Sequence, residues 1–513
     1  MAETLDELRD SLTGDVLVGG DPEYERARLC FNLLIDRRPS AIARCVDAND
    51  VAAALAFGQA RSLEIAVRGG GHNPAGHCAV DDGLVIDLSR MRDVRVDPEN
   101  GIAHSQGGAT WLDFDAATQA HGLVTPGGVV GSTGVTGLTL GGGIGHLTAQ
   151  HGLTCDNLLA AELVTPAGEI VRASEDENPE LLWGLRGGGG NFGVVVQAEY
   201  RLHPLVQVIG GRLEYEGDDV AEALRLFREL ANEGPPELSI QAQLGTDASL
   251  VPQLVVVPCY TGTGDDPEAL GPLRALAGHA SDGVRRQGFL EQQRIFDPGY
   301  GVDRNYWKGH FVAELPDELI DDLIGCMTAL GRPPGGILIE SLHGAPKDVA
   351  PSSAALGYRD AAFNVSAMAS WTDPAHDDES INWARSTASA IEPWSVSGGY
   401  ANYMQADEPI DRVRAAFGPD SFARLQALKS RYDPDNVLHR NQNIPPLGLD
   451  ARYSGGLSGA GADGSLCQRP IGFPSVSVPV TNQPMPGTGC GSSALPPSSC
   501  RRLAPALMSS TSK

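Results

Sequence analysis

The residues best suited to chemistry are Arg68-Gly69-Gly70-Gly71-His72-Asn73, at the end of the apolar run Ile65-Ala66-Val67. Three glycines allow positive φ and close backbone approach, so a ligand can lie directly on the chain. The histidine that follows is placed to present an imidazole to it. Alone, the stretch reads equally well as an ordinary strand exit with a surface histidine, because Gly-rich loops are common punctuation. A second stretch shifts the balance. From Gly127 to Gly145, nine of nineteen positions are glycine: 127, 128, 131, 134, 137, 141, 142, 143 and 145. A long glycine coil inside a compact domain is costly and normally has a ligand-related reason. Its backbone N–H groups can form concavities for anions, a pyrophosphate above all. A flexible linker fits poorly, since Val129, Val130, Val135, Leu138, Leu140 and Ile144 interleave the glycines. A third cluster runs from Gly187 to Gly193. The chain lacks the G-x-x-x-x-G-K-[ST] phosphate pattern and the G-x-S-x-G elbow, and the spacing Gly141-Gly142-Gly143-Ile144-Gly145 is not G-x-G-x-x-G, so a different nucleotide fold is needed.

The elements that must position these loops follow from pattern. Ala41 to Val46 reads as a strand, Val51 to Ala60 as a helix capped by Asn49 or Asp50, and Ile65 to Val67 as the strand that delivers the first loop. Leu84 to Leu88 is another strand. Val94 to Asp97 and Ile102 to His104 form a hairpin about Pro98-Glu99-Asn100-Gly101. Thr110 to Asp113 resembles a capping box opening a helix that stops at Gly122. Strands are expected over Leu158 to Thr165 and from Val194. Farther on, Val220 to Ala231 and Pro316 to Leu330 read as helices. Leu254 to Val257, Ile337 to Glu340 and Val365 to Trp371 read as strands, and Pro409 to Phe417 and Ser421 to Tyr432 as helices.

With 513 residues, two domains plus appendages are expected. A net charge of −27 argues against nucleic-acid and anionic-lipid partners. No window approaches a membrane span, and the acidic start predicts no Sec-type leader, which implies a cytoplasmic protein. Nine scattered cysteines with no C-x-x-C pair argue against zinc and a disulfide framework, so no metal is expected.

Five ordered motifs together resemble the berberine-bridge-enzyme-like oxidases of the vanillyl-alcohol-oxidase superfamily, in their bacterial branch. They are Arg68 to Asn73; Thr125-Pro126-Gly127-Gly128 with Thr133 to Gly145; His151 to Asn157; Arg186 to Val195; and a C-terminal signature of Tyr400-Ala401-Asn402-Tyr403, Tyr432 to Asn436 and Asn441 to Pro446. The match spans roughly residues 35 to 446. The resemblance implies an α+β fold, a two-subdomain PCMH-type FAD-binding domain plus an antiparallel-sheet substrate domain covered by helices. The implied divisions are a lead-in over 1–34, the FAD domain over 35–205, the substrate domain over 206–400 and a C-terminal segment over 401–446 packing on the FAD domain. Residues 447–513, rich in Gly, Ser and Pro, are expected to be disordered.

The resemblance further implies FAD joined covalently through its 8α-methyl group to His72. Many members add a bond from a cysteine whose position here is Val130, so attachment by His72 alone is expected. Implied cofactor contacts are Arg68, Gly69, Gly70, Gly71, His72, Asn73, Gly128, Thr133, Gly134, Gly137, Leu138, Gly141, Gly142, Gly143, Gly145, His146, Gly193, Val195, Asn402, Asn441 and Asn443. The implied reaction takes a proton from a substrate O–H while the adjacent carbon gives hydride to flavin N5. A sugar, alcohol or hydroxylated natural product is the small-molecule substrate, with dioxygen as a possible acceptor. Oxidation of an amine, or a flavin-binding scaffold without turnover, are the alternatives. Tyr403 is the first choice of base and Tyr400 the reserve; strand alternation from Tyr400 would turn Tyr403 away. A tyrosine, with a pKa of about 10, needs help to act near neutrality. Plant members carry Glu or Gln with a tyrosine where Ser366 and Ala367 stand here. Arg304 to Lys308 is equally a surface-to-core passage or a substrate contact.

Overall fold

The computed structural model describes residues 2–449 apart from 265–266, 277–278, 300 and 329–334. The expectation of disorder over 447–513 lies outside these residues from 450 onward. Among the described residues no helix is long and apolar enough to cross a membrane.

Three sheets organise the chain. The first has the order Asp15–Leu17, Ala41–Arg44, Leu84–Asp87, Ile65–Arg68, with the last three strands parallel. Parallel strands need a crossover connection, and the helix Ala48–Ala60 supplies it between Ala41–Arg44 and Ile65–Arg68, the two strands that flank Leu84–Asp87. That helix is capped by Asp47, whose carboxylate accepts from the N–H of Asn49 and Asp50. The expected caps Asn49 and Asp50 lie inside the helix. Asp50 is instead buried, accepting from the N–H of Thr13, Gly14 and Val46. The lead-in is therefore no appendage: its strand Asp15–Leu17 edges the sheet.

The second sheet is antiparallel, in the order Val94–Asp97, Ile102–Gln106, Val194–Arg201, Leu158–Val164, Ile170–Ser174. The expected hairpin forms its edge, and Thr110 N–H donates to Asp113, 2.8 Å away, at the start of the helix Trp111–Gln119.

The third sheet is a large antiparallel one. Its path ends in Pro252–Tyr260, Leu238–Thr246, Gly335–Ser341, Phe363–Trp371 and Arg304–Val312. Strand alternation divides its residues. Ile337, Ile339, Val365, Ala367 and Tyr306 join the core beneath the helices Asp219–Glu233, Asp317–Thr328 and Asp377–Ile391. Leu338, Met368 and Trp307 belong to a separate cluster on the opposite face. That opposite face looks into the cleft.

The C-terminal helices Ile410–Phe417 and Pro419–Tyr432 return to the first half of the chain, where Phe422, Leu425 and Leu428 pack with Leu181, Leu185 and Phe192. Lys429 and Asp433 form a fully buried ion pair at 2.6 Å, and the ammonium also donates to the Asn191 and Leu438 carbonyls. A buried charge is tolerable only when so satisfied. This one ties the segment to the third glycine cluster.

Candidate functional site

The three glycine clusters converge on one cleft of about 1660 Å3, counting open solvent at its mouth. The clusters meet as bare backbone. A Cβ on Gly70 would lie 2.4 Å from the Gly134 nitrogen, and one on Gly134 would lie 2.6 Å from the Gly70 nitrogen. No side chain could be added at either position without separating the loops. Inside the expected glycine coil a short helix forms, Val135–Leu140, which presents Thr136, Gly137 and Leu138 to the cleft.

Gly69, Gly70, Gly71, His72 and Asn73 line this cleft with Gly128, Thr133, Gly134, Gly137, Leu138 and Gly141. Gly193, Val195, Asn402, Tyr403 and Asn441 complete the predicted residues found there. Others are elsewhere. Arg68 turns its guanidinium to the Ala27 and Leu29 carbonyls. Gly142 and Gly143 carry positive φ and pack against Tyr358 and Thr154, while Gly145 abuts the Gly127 carbonyl. This turn carries His146 off the cleft wall, fully buried and stacked parallel to Phe296 at 6.0 Å. Asn443 is also outside the lining. Val130 is buried against Val255, Val257 and Phe296 at the cleft edge.

His72 packs flat against one neighbouring ring. Its ring stacks on Phe31, centroids 3.9 Å apart and planes 16° apart. Burial pushes the imidazole down to about 4, so it is neutral near pH 7 and keeps a nitrogen lone pair. His72 Nε2 is buried without a hydrogen-bond partner among the described residues, as are Thr136 Oγ1, Asn441 Oδ1 and Gln442 Nε2. Unpartnered buried polar atoms call for an explanation. A ligand bearing both donors and acceptors along its length supplies one, so these residues fit FAD.

The opposite wall is made of side chains. Trp307 and Met368 line it, and Tyr403 meets Trp307 edge-on at 5.5 Å. The Tyr403 hydroxyl lies 3.4 Å from Glu340 Oε1. Glu340 Oε2 accepts from Asn364 Nδ2 at 2.7 Å, directly across the strand pair. Burial pushes this carboxyl up to about 7, against the opposing effect of the hydrogen bonds from Asn364 and Tyr403. The segment after Tyr400 is a turn, with Tyr403 N–H donating to the Tyr400 carbonyl. Strand alternation therefore does not apply, and Tyr403 reaches the cleft. Tyr400 is fully buried, and its hydroxyl accepts from the Gly143 N–H at 3.1 Å and from Asn402 Nδ2 at 2.9 Å. It supports the glycine turn and lies off the cleft lining.

Sequence reasoning missed Glu340, Phe31, Gln442 and Met368. Glu340 carried a signal, a charged residue closing the apolar strand Ile337-Leu338-Ile339, and Gln442 stood inside the C-terminal signature between Asn441 and Asn443. His77 and Cys78, shortly after the first glycine loop, also line the cleft.

Residues 39–174 match the FAD binding domain family, and residues 399–445 the family described as berberine and berberine like. The chain is 30% identical over 453 residues to (R)-6-hydroxynicotine oxidase of Paenarthrobacter nicotinovorans, covering 85% of this chain and 98% of that one. It is 28% identical to an uncharacterized FAD-linked oxidoreductase of Bacillus subtilis, over 86% and 98% of the two chains. Among solved structures, 6-hydroxy-D-nicotine oxidase from Arthrobacter nicotinovorans superposes with a TM-score of 0.77 at 29% identity, covering 85% and 98%. Glucooligosaccharide oxidase from Acremonium strictum, with its 6-S-cysteinyl, 8α-N1-histidyl FAD, shares the fold at a TM-score of 0.77 and 23% identity, covering 86% and 99%.

Proposed function

This chain belongs to the berberine-bridge-like family of FAD-linked oxidoreductases, and from that premise we propose that it oxidises a CH–OH group of a small sugar, alcohol or hydroxylated natural product. The observation that carries the reading is Tyr403, on the cleft wall with its hydroxyl 3.4 Å from the buried Glu340. FAD, when bound, supplies the two-electron acceptor. The glycine loops hold it with Thr136, Asn441 and Gln442, and His72 bonds to it. Val130 offers no second nucleophile, so His72 holds it alone.

Tyr403 accepts the substrate hydroxyl proton as its own proton passes to Glu340. Hydrogen bonds of this kind are often long before substrate arrives. Glu340 must therefore be ionised to act, which places the rising limb of activity near pH 7. Asn364 fixes the carboxylate from the neighbouring strand. Trp307 and Met368 exclude water and orient an apolar part of the substrate. Dioxygen is the proposed final electron acceptor.

A second reading, oxidation of a CH–NH group, is favoured by the apolar Trp307 and Met368 wall and by the similarity to hydroxynicotine oxidase. An anaerobic panel of alcohols and amines separates the two by which class bleaches the flavin. Bleaching by neither class would leave a flavin-binding scaffold without turnover. Acid precipitation tests the attachment. Yellow colour is expected in the wild-type pellet and in the supernatant of His72→Ala; a colourless wild-type pellet over a yellow supernatant overturns it.

A further inference from the structure

The loop that carries His72 is soft by composition, with three glycines immediately before it. What fixes the imidazole comes from elsewhere in the chain. Phe31 lies flat against it at 3.9 Å. The backbone beneath Phe31 is anchored on both sides of the histidine. Phe31 N–H donates to the Gly71 carbonyl at 3.0 Å, and the buried Asn32 Nδ2 donates to the Pro74 carbonyl at 2.7 Å. Asn32 also donates to the Asn305 carbonyl and accepts from the Asn305 N–H. Asn305 belongs to Arg304–Val312, the strand that carries Trp307, whose ring lies 5.6 Å from Phe31. One short segment thus ties the histidine loop to the substrate-domain sheet and sets the plane of the ring whose Nε2 is unpartnered.

We infer that Phe31 is the positioning residue for flavin attachment, holding the His72 imidazole in the one plane that presents a ring nitrogen to the cofactor. The inference rests on the proposed bond between His72 and FAD. In forming it, His72 gives up its N–H and the 8α carbon one C–H. A C–N bond replaces them, and the two electrons and two protons left on the ring system pass to dioxygen, giving hydrogen peroxide. Phe31 takes no part in these exchanges; it lowers the cost of reaching the geometry in which they occur.

The test uses full-length protein produced under riboflavin limitation, incubated with FAD and sampled over time. Total bound flavin and acid-precipitable flavin are measured separately. Phe31→Leu, which keeps bulk without a ring, is expected to bind FAD as the wild type does but to attach it about three- to tenfold more slowly, the range an aromatic pair supplies. Phe31→Tyr is expected to restore the rate. Phe31→Ala should resemble Phe31→Leu if it folds, which thermal melting checks. Attachment by Phe31→Leu at the wild-type rate overturns the inference, as does failure of Phe31→Tyr to rescue. Wild-type protein that never retains flavin in the acid pellet would instead remove the bond itself, and the inference with it.

Discussion

On one side the cleft presents backbone, and on the other it presents side chains. Gly70 and Gly134 face each other so closely that a Cβ on either would lie within 2.6 Å of the other's nitrogen. Opposite them stand Trp307, Met368 and Tyr403, with Glu340 behind. A wall of backbone tolerates little, because each added atom displaces a whole loop. A wall of side chains on a sheet can change one group at a time while the strands keep their register. The first suits a constant cofactor and the second a variable substrate.

Breaking the side-chain wall at its reactive group should give the largest effect. Tyr403→Phe is expected to keep its flavin and fold but lose about 10²–10⁴-fold in the rate of anaerobic flavin reduction, the usual weight of a positioned base. Retention of near-wild-type reduction would assign the base elsewhere. Breaking the backbone wall should do the reverse. Gly70→Ala forces a contact with Gly134, an overpacking that costs about 1–3 kcal/mol. Reduced flavin content and a lower Tm are expected, and unchanged values for both would show that the loops can separate freely.

The smallest effect sharpens the contrast. Glu340 is held up to about 7 from an ordinary 4.5 by burial. It therefore keeps its proton in the fold where the unfolded chain has lost it. Its contribution to stability is present below about 4.5 and is lost as pH rises toward about 7. Glu340→Gln should flatten that stretch of the stability profile. It should also remove the activity limb near pH 7, with about a tenfold lower rate above it, consistent with the loss of one proton acceptor. Stopped-flow reduction and thermal melts across pH check both; a limb unchanged in Glu340→Gln would place the titrating group elsewhere.

Much of this architecture was legible from periodicity. The parallel strand that delivers Arg68 to Asn73, the hairpin at Pro98 to Gly101 and the capping interaction of Thr110 with Asp113 all stand where pattern puts them. Local chemistry was less decisive where neighbours compete. Asp47 takes the cap expected of Asn49 or Asp50 because Asp50 is claimed by the backbone at Thr13 and Gly14, far away in sequence. The strand Leu238–Thr246 was legible too, since Leu238, Ile240, Ala242 and Leu244 alternate with Ser239, Gln241, Gln243 and Gly245; what the pattern does not show is that its polar face is covered as well.

Composition by itself determined the backbone wall of the cleft, because only glycine permits backbone to meet backbone as Gly70 and Gly134 do. It also marked His72 as an imidazole delivered to that wall directly behind three glycines. The tertiary structure decided everything that depends on which distant residues meet. It set Phe31 on His72, withdrew His146 and Tyr400 from the cleft, and put Glu340 behind Tyr403. The physical reason is range. Backbone freedom is a property of each residue and can be read one position at a time, whereas a stacked ring or a buried carboxylate acquires its character from neighbours brought together only by folding.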